Sequence, residues 1–322
     1  MSISMVICKP AKPFLEDVPG RLDLGPLIPP REREKVVVIL GATGTGKSRL
    51  SIDIASRFPA EIVNSDKMQV YQGLNVVTNK VTEEEKCGVP HHLLGNICPD
   101  ADFTAGDFCG LASVAVDSIS ARGQHPIIVG GSNSYVEALV SDPSFHFRSR
   151  YECCFLWVDV AMPVLHSFVS ERVDRMVGKG LVEEVGKVFD TNADYSRGIK
   201  RAIGVPELDL YFRTEKFLDE NNRKRLLEDA IAEIKYNTCK LACRQLGKIH
   251  RLRNFKRWNV HRLDATQVFQ KQGAEADEAW RQLVIEPSTS IVAEFLYGAT
   301  KYAPAKALIP RALSTVSGRV LA

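Results

Sequence analysis

Residues 41–48 read Gly-Ala-Thr-Gly-Thr-Gly-Lys-Ser and satisfy the spacing G-x-x-x-x-G-K-S/T. Glycines at that spacing let consecutive backbone amides turn toward phosphate oxygens, and the positive end of a following helix adds to the cradle. In such a loop Lys47 neutralises the outermost phosphate, and the Ser48 hydroxyl holds Mg²⁺. The pattern specifies a bound diphosphate and leaves the reaction open. A nucleotide kinase or NTPase would add an Asp at the end of a hydrophobic strand to hold the metal. Two carboxylates compete for that place: Asp159 in FLWVDV and, as the stronger candidate, Asp66, one strand beyond the loop. His91 and His92 are adjacent, but successive side chains of a strand point apart, so structural roles are expected for them. Cys239, Cys243 and His250 fall in a helical stretch and are not expected to form a metal site.

The elements around the loop are those it requires. Residues 35–40 (KVVVIL) form a continuous β-branched run suited to a strand buried on both faces. After the loop, Leu50, Ile54 and Phe58 recur at helical spacing until Pro59. A short strand over 61–64 leads to Asp66, and a helix after Thr104 carries Phe108, Leu111, Val114, Ala115 and Ile119 as far as Gly123. Residues 126–129 and 155–160 read as further buried strands. Between them Gly130-Gly131-Ser132 opens a helix with Val136, Leu139 and Val140 inward. Such alternation predicts an α/β fold: a P-loop NTPase-like, doubly wound parallel sheet flanked by helices, with binding loops at the strands' carboxyl ends.

Beyond Pro163 the texture is helical. Val173, Met176, Val177, Leu181, Val185, Val188 and Phe189 trace one helical face, 198–207 reads as a turn, and a long helix over about 223–250 has the stripe Leu227, Ala230, Ile231, Ile234, Thr238, Leu241 and Ala242. The expected organisation is an irregular extension over 1–34, a P-loop core over 35–160, and a smaller helical part over 161–322 whose long helix packs back on the core.

Composition narrows the class. A chain of 322 residues, 45% hydrophobic, can bury a normal core. Its 42 basic against 39 acidic residues leave a net charge of +3, no bulk reason to expect nucleic acid or a membrane as partner. No apolar run reaches bilayer length, and MSISMVICKP lacks the charge and core of a secretory signal. The eight cysteines show neither repeated zinc spacing nor a dense scaffold, so free thiols in a reducing compartment are expected.

Several longer segments carry more specific information: NSDKMQVYQGLNVVTNK at 64–80, GVPHHLLG at 88–95, FTAGDFC at 103–109, IIVGGSNSYVEAL at 127–139, RVDRMVGKGLVEEV at 172–185, GIKRAIGVPE at 198–207 and TCKLACRQL at 238–246. They resemble the isopentenyltransferase family, which includes tRNA dimethylallyltransferases, and within it the plant adenylate branch. The resemblance runs roughly from residue 35 past 262. It implies transfer of a dimethylallyl group from dimethylallyl diphosphate to N6 of an adenine nucleotide, giving the precursor of cytokinins. The P-loop then grips a leaving group and does not cleave ATP. An exocyclic adenine amine is a poor nucleophile, so a general base must accept its proton, and Asp66 matches the family's base. By the same resemblance Gly41, Ala42, Gly44, Thr45, Gly46, Lys47 and Ser48 hold the diphosphate with Mg²⁺, Arg201 reaches it from the helical side, and Thr43 lies near the bridging oxygen and N6. Gln69 and Thr78 contact the acceptor, and Thr238 and Arg244 line the channel.

The family has two acceptor classes. From residue 235 to 262 there are nine Lys or Arg and no acid, with Phe255 and Trp258 interleaved, a composition that suits a groove for a polyanion. The relatives that modify tRNA carry a helical insertion between the Gly-Gly unit and the next strand, where only 141–152 intervene here, and eukaryotic ones often add a C-terminal Cys/His zinc module. VVTNK at 76–80 also resembles the free-nucleotide branch. A free nucleotide (ATP or ADP, or AMP) is therefore expected as acceptor and tRNA is not, with a tRNA dimethylallyltransferase as the alternative and a P-loop kinase or a non-catalytic nucleotide binder more remote. The resemblance points to a plastid. Glu16, Asp17, Asp23, Glu32 and Glu34 make the N-terminus atypical of a transit peptide, leaving the cytosol and mitochondrion open.

Overall fold

The computed structural model describes residues 33–192 and 194–298; the expected extension lies almost wholly outside the described residues. Six parallel strands form one sheet in the order β3-β2-β4-β1-β5-β6: β1 Glu34–Gly41, β2 Ala60–Asn64, β3 His91–His92, β4 His125–Val129, β5 Tyr151–Asp159 and β6 Val260–Asp264. The central β1 is aligned with β4 through Val38↔Ile128 and with β5 through Val38↔Phe155. Its apolar run divides between two faces because side chains alternate along a strand. Val36, Val38 and Leu40 join Ile128 and Trp157 on one face, while Val37 and Ile39 join Ile127, Leu156 and Leu263 on the other.

Helices cover both faces. On the first lie α2 (Ala105–Ala121), α3 (Asn133–Ser141) and the end of α8 (Glu220–Asn254). On the second lie α1 (Lys47–Ala55), α5 (Met162–Gly178) and α11 (Glu286–Tyr297). The shorter α4 (Phe147–Arg150), α6 (Leu181–Val188), α7 (Asp209–Thr214), α9 (Thr266–Phe269) and α10 (Gly273–Trp280) complete the order. Helix α2 starts at a capping box, with Thr104 and Asp107 satisfying each other's backbone amides. Helix α8 begins at the Asp219 cap and its 35 residues span roughly 50 Å at 1.5 Å rise per residue.

Four local expectations are corrected. The buried face of α2 is Phe108, Cys109, Ala112, Val116 and Ile119, whereas Leu111 and Val114 face outward; small residues on the inner face let the helix approach the sheet. The single helical face drawn from Val173 to Phe189 is two helices, broken where Gly180 adopts φ 93°. Helix α1 already ends at Ala55, and Phe58 packs into the core from the turn that follows. The mainly helical part after residue 160 returns a strand to the core: β6 pairs with β5 through Trp157↔Arg262. Its sequence VHRLD gives little warning, because an edge strand buries one flank only.

Candidate active site

The carboxyl ends of β1, β2 and β4 open on a pocket of about 440 Å³, within the size range of small-ligand sites. Each rim segment has a local reason. After β1 the chain turns through Gly44 (φ 84°) and Gly46 (φ 86°) into α1. Gly46 is pressed from behind by Trp280, whose ring stands 2.8 Å from where a Cβ would be. After β4 the Gly-Gly pair is demanded by close approach: a Cβ on Gly130 would sit 2.4 Å from Ser65 C and 2.5 Å from Asp66 N. On Gly131 it would sit 2.5 Å from Gln245 Nε2 and 3.1 Å from Asp66 Oδ2.

Asp66 is the one carboxylate among the described residues that line the pocket. Its Oδ1 accepts from the amides of Met68 (2.9 Å) and Gln69 (3.4 Å) and so caps the next turn, leaving Oδ2 beside Gly131. Across from it Lys47 is buried and donates to Ala42 O at 2.6 Å. Burial pulls its ammonium down to about 8, with Asp66 opposing the shift and Arg172 adding to it. Arg172 on α5 is also buried; burial chiefly, then Arg175, brings it down to about 10. It donates from Nη2 to Thr43 Oγ1 at 2.9 Å, while its Nε has no partner. Thr43, Gly44, Gly46, Lys47 and Ser48 all line the pocket. Gly41, Ala42 and Thr45 lie behind them, Thr45 Oγ1 bracing the loop through Ala42 O at 3.0 Å.

The remaining predicted residues converge on the same space. Gln69 turns its amide away to bridge the carbonyls of Thr78 and Asn79, both at 3.1 Å. Thr78 donates to Leu74 O (2.7 Å) and accepts from Lys80 (2.9 Å). The Glu184 carboxylate accepts from the amides of Val76 and Val77 at 2.9–3.1 Å and so anchors this segment. Arg201 lines the pocket and donates to Tyr71 Oη and Gly198 O, both at 3.3 Å. Thr238 is buried with its hydroxyl on Ile234 O, and Arg244 lines the opening. Beside Arg201, Lys67 is held below the usual ammonium range by burial and by the charges of Arg201 and Lys248.

Other candidates fall elsewhere. Asp159 accepts from Arg262 Nε at 2.7 Å and does not line the pocket. The two histidines do diverge: His92 Nε2 meets Glu61 at 2.7 Å, whereas His91 donates from Nδ1 to Val89 O and borders the pocket. His250 stands edge-on to Trp157, and no trio of His, Cys, Asp or Glu able to hold a metal occurs among the described residues. Trp258, read as a groove aromatic, is buried against Phe155, while Phe255 is exposed. Arg172 and Gln245 escaped the sequence reading. Their signal was a polar residue on an apolar stripe: Arg172 among Val169, Val173 and Met176, Gln245 after Ile234, Thr238 and Ala242.

For a metal, the lining offers the Ser48 hydroxyl on the loop and, among the described residues, one carboxylate, Asp66. That set suits Mg²⁺ carried in by a substrate's phosphates, since this ion keeps most of its shell from water and phosphate and takes few protein ligands. The arrangement can grip a diphosphate at one wall and accept a proton at the other.

A family model described as IPP transferase matches residues 69–148 and 141–251. A chloroplastic adenylate isopentenyltransferase of Arabidopsis thaliana, number 3, is 59% identical over 92% of this chain and 90% of its own. A mitochondrial one of the same plant, number 7, is 54% identical over 82% of this chain and 80% of its own. The solved structure of a eukaryotic dimethylallyltransferase acting on tRNA has a TM-score of 0.68 over 81% of this chain and 79% of its own, at 24% identity, a likeness of fold.

Proposed function

The chain belongs to the IPP transferase family, and from that premise we propose that it transfers the dimethylallyl group of dimethylallyl diphosphate to N6 of a free adenine nucleotide, releasing diphosphate. The product is an isopentenyl nucleotide, the precursor of cytokinins. One observation carries the reading: a single carboxylate, Asp66, faces a complete P-loop across one pocket. The diphosphate lies on the amides of 44–48 with Lys47, Arg172 and Arg201 around it, and the adenine lies toward Asp66. As the bond from C1 to the bridging oxygen breaks, N6 bonds to C1 and Asp66 Oδ2 takes the N6 proton. Negative charge grows on the departing oxygen, where preorganised donors stabilise it most. Thr43, with its hydroxyl on Arg172 Nη2, stands at the reacting end, while Gln69 and Thr78 shape the acceptor side. Ser48 would hold Mg²⁺, which, when bound, withdraws charge from the leaving diphosphate.

A tRNA acceptor has the fold likeness in its favour. Three features support a free nucleotide instead. Identity is far higher to adenylate isopentenyltransferases. The two stretches matched by the family model overlap at 141–148, where α3 passes to β5 through a short connection with no room for an anticodon-embracing insertion. The basic run is partly spent in ion pairs, Lys235 with Asp174, Arg251 with Glu137 and Arg262 with Asp159 and Asp264. By likeness to its relatives the protein works in an organelle, and we favour the plastid; a fluorescent fusion of the whole chain tests this. No helix among the described residues is long and apolar enough to cross a membrane.

The deciding experiment incubates the purified protein with Mg²⁺, dimethylallyl diphosphate and, separately, AMP, ADP, ATP or unmodified tRNA, followed by mass spectrometry. A prenyl increment on free nucleotide is expected. Transfer to tRNA alone would overturn the acceptor assignment, and phosphate transfer without prenylation would indicate a kinase.

A further inference from the structure

Gln245 lies on the inner face of α8, 7% exposed, and both ends of its carboxamide are in use. Oε1 accepts from the Thr43 amide at 2.7 Å, and Nε2 donates to Gly131 O at 2.9 Å. A third bond runs from Asn133 Nδ2 to its backbone carbonyl at 3.2 Å. The amide orientation is unambiguous, because a backbone N–H needs an acceptor and a carbonyl needs a donor.

The two bonds reach loops with different tasks. Thr43 belongs to the diphosphate loop after β1. Gly131 follows β4 and abuts the base: its missing Cβ leaves space shared by Gln245 Nε2 and Asp66 Oδ2. One step earlier, Gly130 rests on the Ser65–Asp66 backbone itself. The chain of contacts therefore runs from the loop that would hold the leaving group, through one side chain on a separate helix, to the segment that carries the base.

We propose that Gln245 is a positioning residue that fixes the spacing between the leaving-group loop and Asp66, and with it the approach of the acceptor amine to the allylic carbon. The inference rests on the prenyl-transfer reading above. Reacting atoms must be held about 3–3.5 Å apart, and a misplacement of about 1 Å costs roughly 100-fold in rate. Gln245 itself touches neither reacting atom, so its loss acts on kcat and spares the affinities set by the loops' own contacts.

The test compares the wild type with Gln245→Met, which keeps volume and removes both bonds, and with Gln245→Asn, which keeps the carboxamide but is one methylene too short to span the Thr43 amide and Gly131 O. Both should lose on the order of 10- to 100-fold in kcat, with KM for dimethylallyl diphosphate and for the nucleotide unchanged within about threefold, and with inorganic diphosphate bound as in the wild type by calorimetry. Full kcat in either folded variant, or a rise in both KM values at constant kcat, would overturn the positioning role. Should Gln245→Met fail to fold, Gln245→Asn decides alone. A wild type that prenylates no acceptor would instead overturn the functional reading, and this inference with it.

Discussion

Replacing Asp66 by Asn and by Ala separates the proposed base from the turn cap, because the two duties would fall on different oxygens. Oδ1 receives the Met68 amide at 2.9 Å and, weakly, the Gln69 amide at 3.4 Å; Oδ2 lies beside Gly131, another pocket-lining residue. Asn keeps an acceptor for the turn and puts an amide where the proton must go. A positioned general base contributes about 10²- to 10⁴-fold, so Asp66→Asn should lose that much in kcat, about 3–5 kcal/mol of barrier, with stability within about 0.5 kcal/mol of wild type. Asp66→Ala should be equally slow and less stable by about 1 kcal/mol, the usual worth of such a cap. Inorganic diphosphate should bind both variants at least as tightly as the wild type at pH 7, since a negative charge has left the pocket. Single-turnover prenylation, thermal melting and diphosphate calorimetry on the three proteins give the comparison. Asp66→Asn within tenfold of the wild-type rate would refute the base assignment, and an Asn variant as unstable as the Ala variant would refute the division of labour.

Lys47 titrates at about 8 when folded and near 10.5 unfolded, so between those values the unfolded chain binds more protons and stability rises with pH. The cost of the buried charge, of order 3 kcal/mol, is fully present below pH 8. Bound diphosphate offsets that cost, so the rise in Tm that it produces should be larger at pH 7 than at pH 9.5, and equal rises would refute the pairing. Gly130→Ala must displace the Ser65–Asp66 backbone and should cost about 1–3 kcal/mol and most of the activity. Gly110→Ala, on α2 with nothing near its Cβ, should stabilise by about 1 kcal/mol and leave turnover intact; urea melts and the prenylation assay read both. Glu184→Ala frees the amides of Val76 and Val77 and should raise KM for the nucleotide several-fold while kcat and KM for the prenyl donor hold. A change confined to the donor would place this segment on the wrong side of the pocket.

What could be read without coordinates was whatever depends on near neighbours in the chain. The loop at 41–48, the buried strand before it and Asp66 after the next strand are all local patterns, and they stand where expected. The phase of α2 was misread because Leu111 and Val114 look like core residues, while Ala112 and Cys109 fill it. Trp280 was invisible for another reason. It supports Gly46 from more than two hundred residues away and donates to Asp53 at 2.9 Å, and no periodicity encodes such a contact. Arg172 and Gln245 lie between these extremes. A cation or amide on an inward stripe must find a polar partner, since burial without one is costly, so each advertised a site without saying where.

The fate of Asp159 bears on the proposal that a loop shared with ATP-cleaving enzymes acts here as a leaving-group clamp. An NTPase reading needs a strand-end carboxylate free to hold the metal beside Ser48. Asp159 has the right address, at the end of β5 next to β1, but its Oδ2 is engaged by Arg262 Nε at 2.7 Å and it is turned from the pocket. The carboxylate that does face the loop, Asp66, is surrounded by Lys47 and Arg172, whose charges it steadies. A carboxylate opposite the phosphates suits a base that takes a proton from a nucleophile approaching from that wall. If the nucleophile were instead water attacking phosphorus, moving the Asp159 carboxylate should matter. Arg262→Gln, which releases Asp159, should leave prenyl transfer unchanged within about threefold, because neither residue lines the pocket. A large gain of ATP hydrolysis in that variant would return the loop to the NTPase reading.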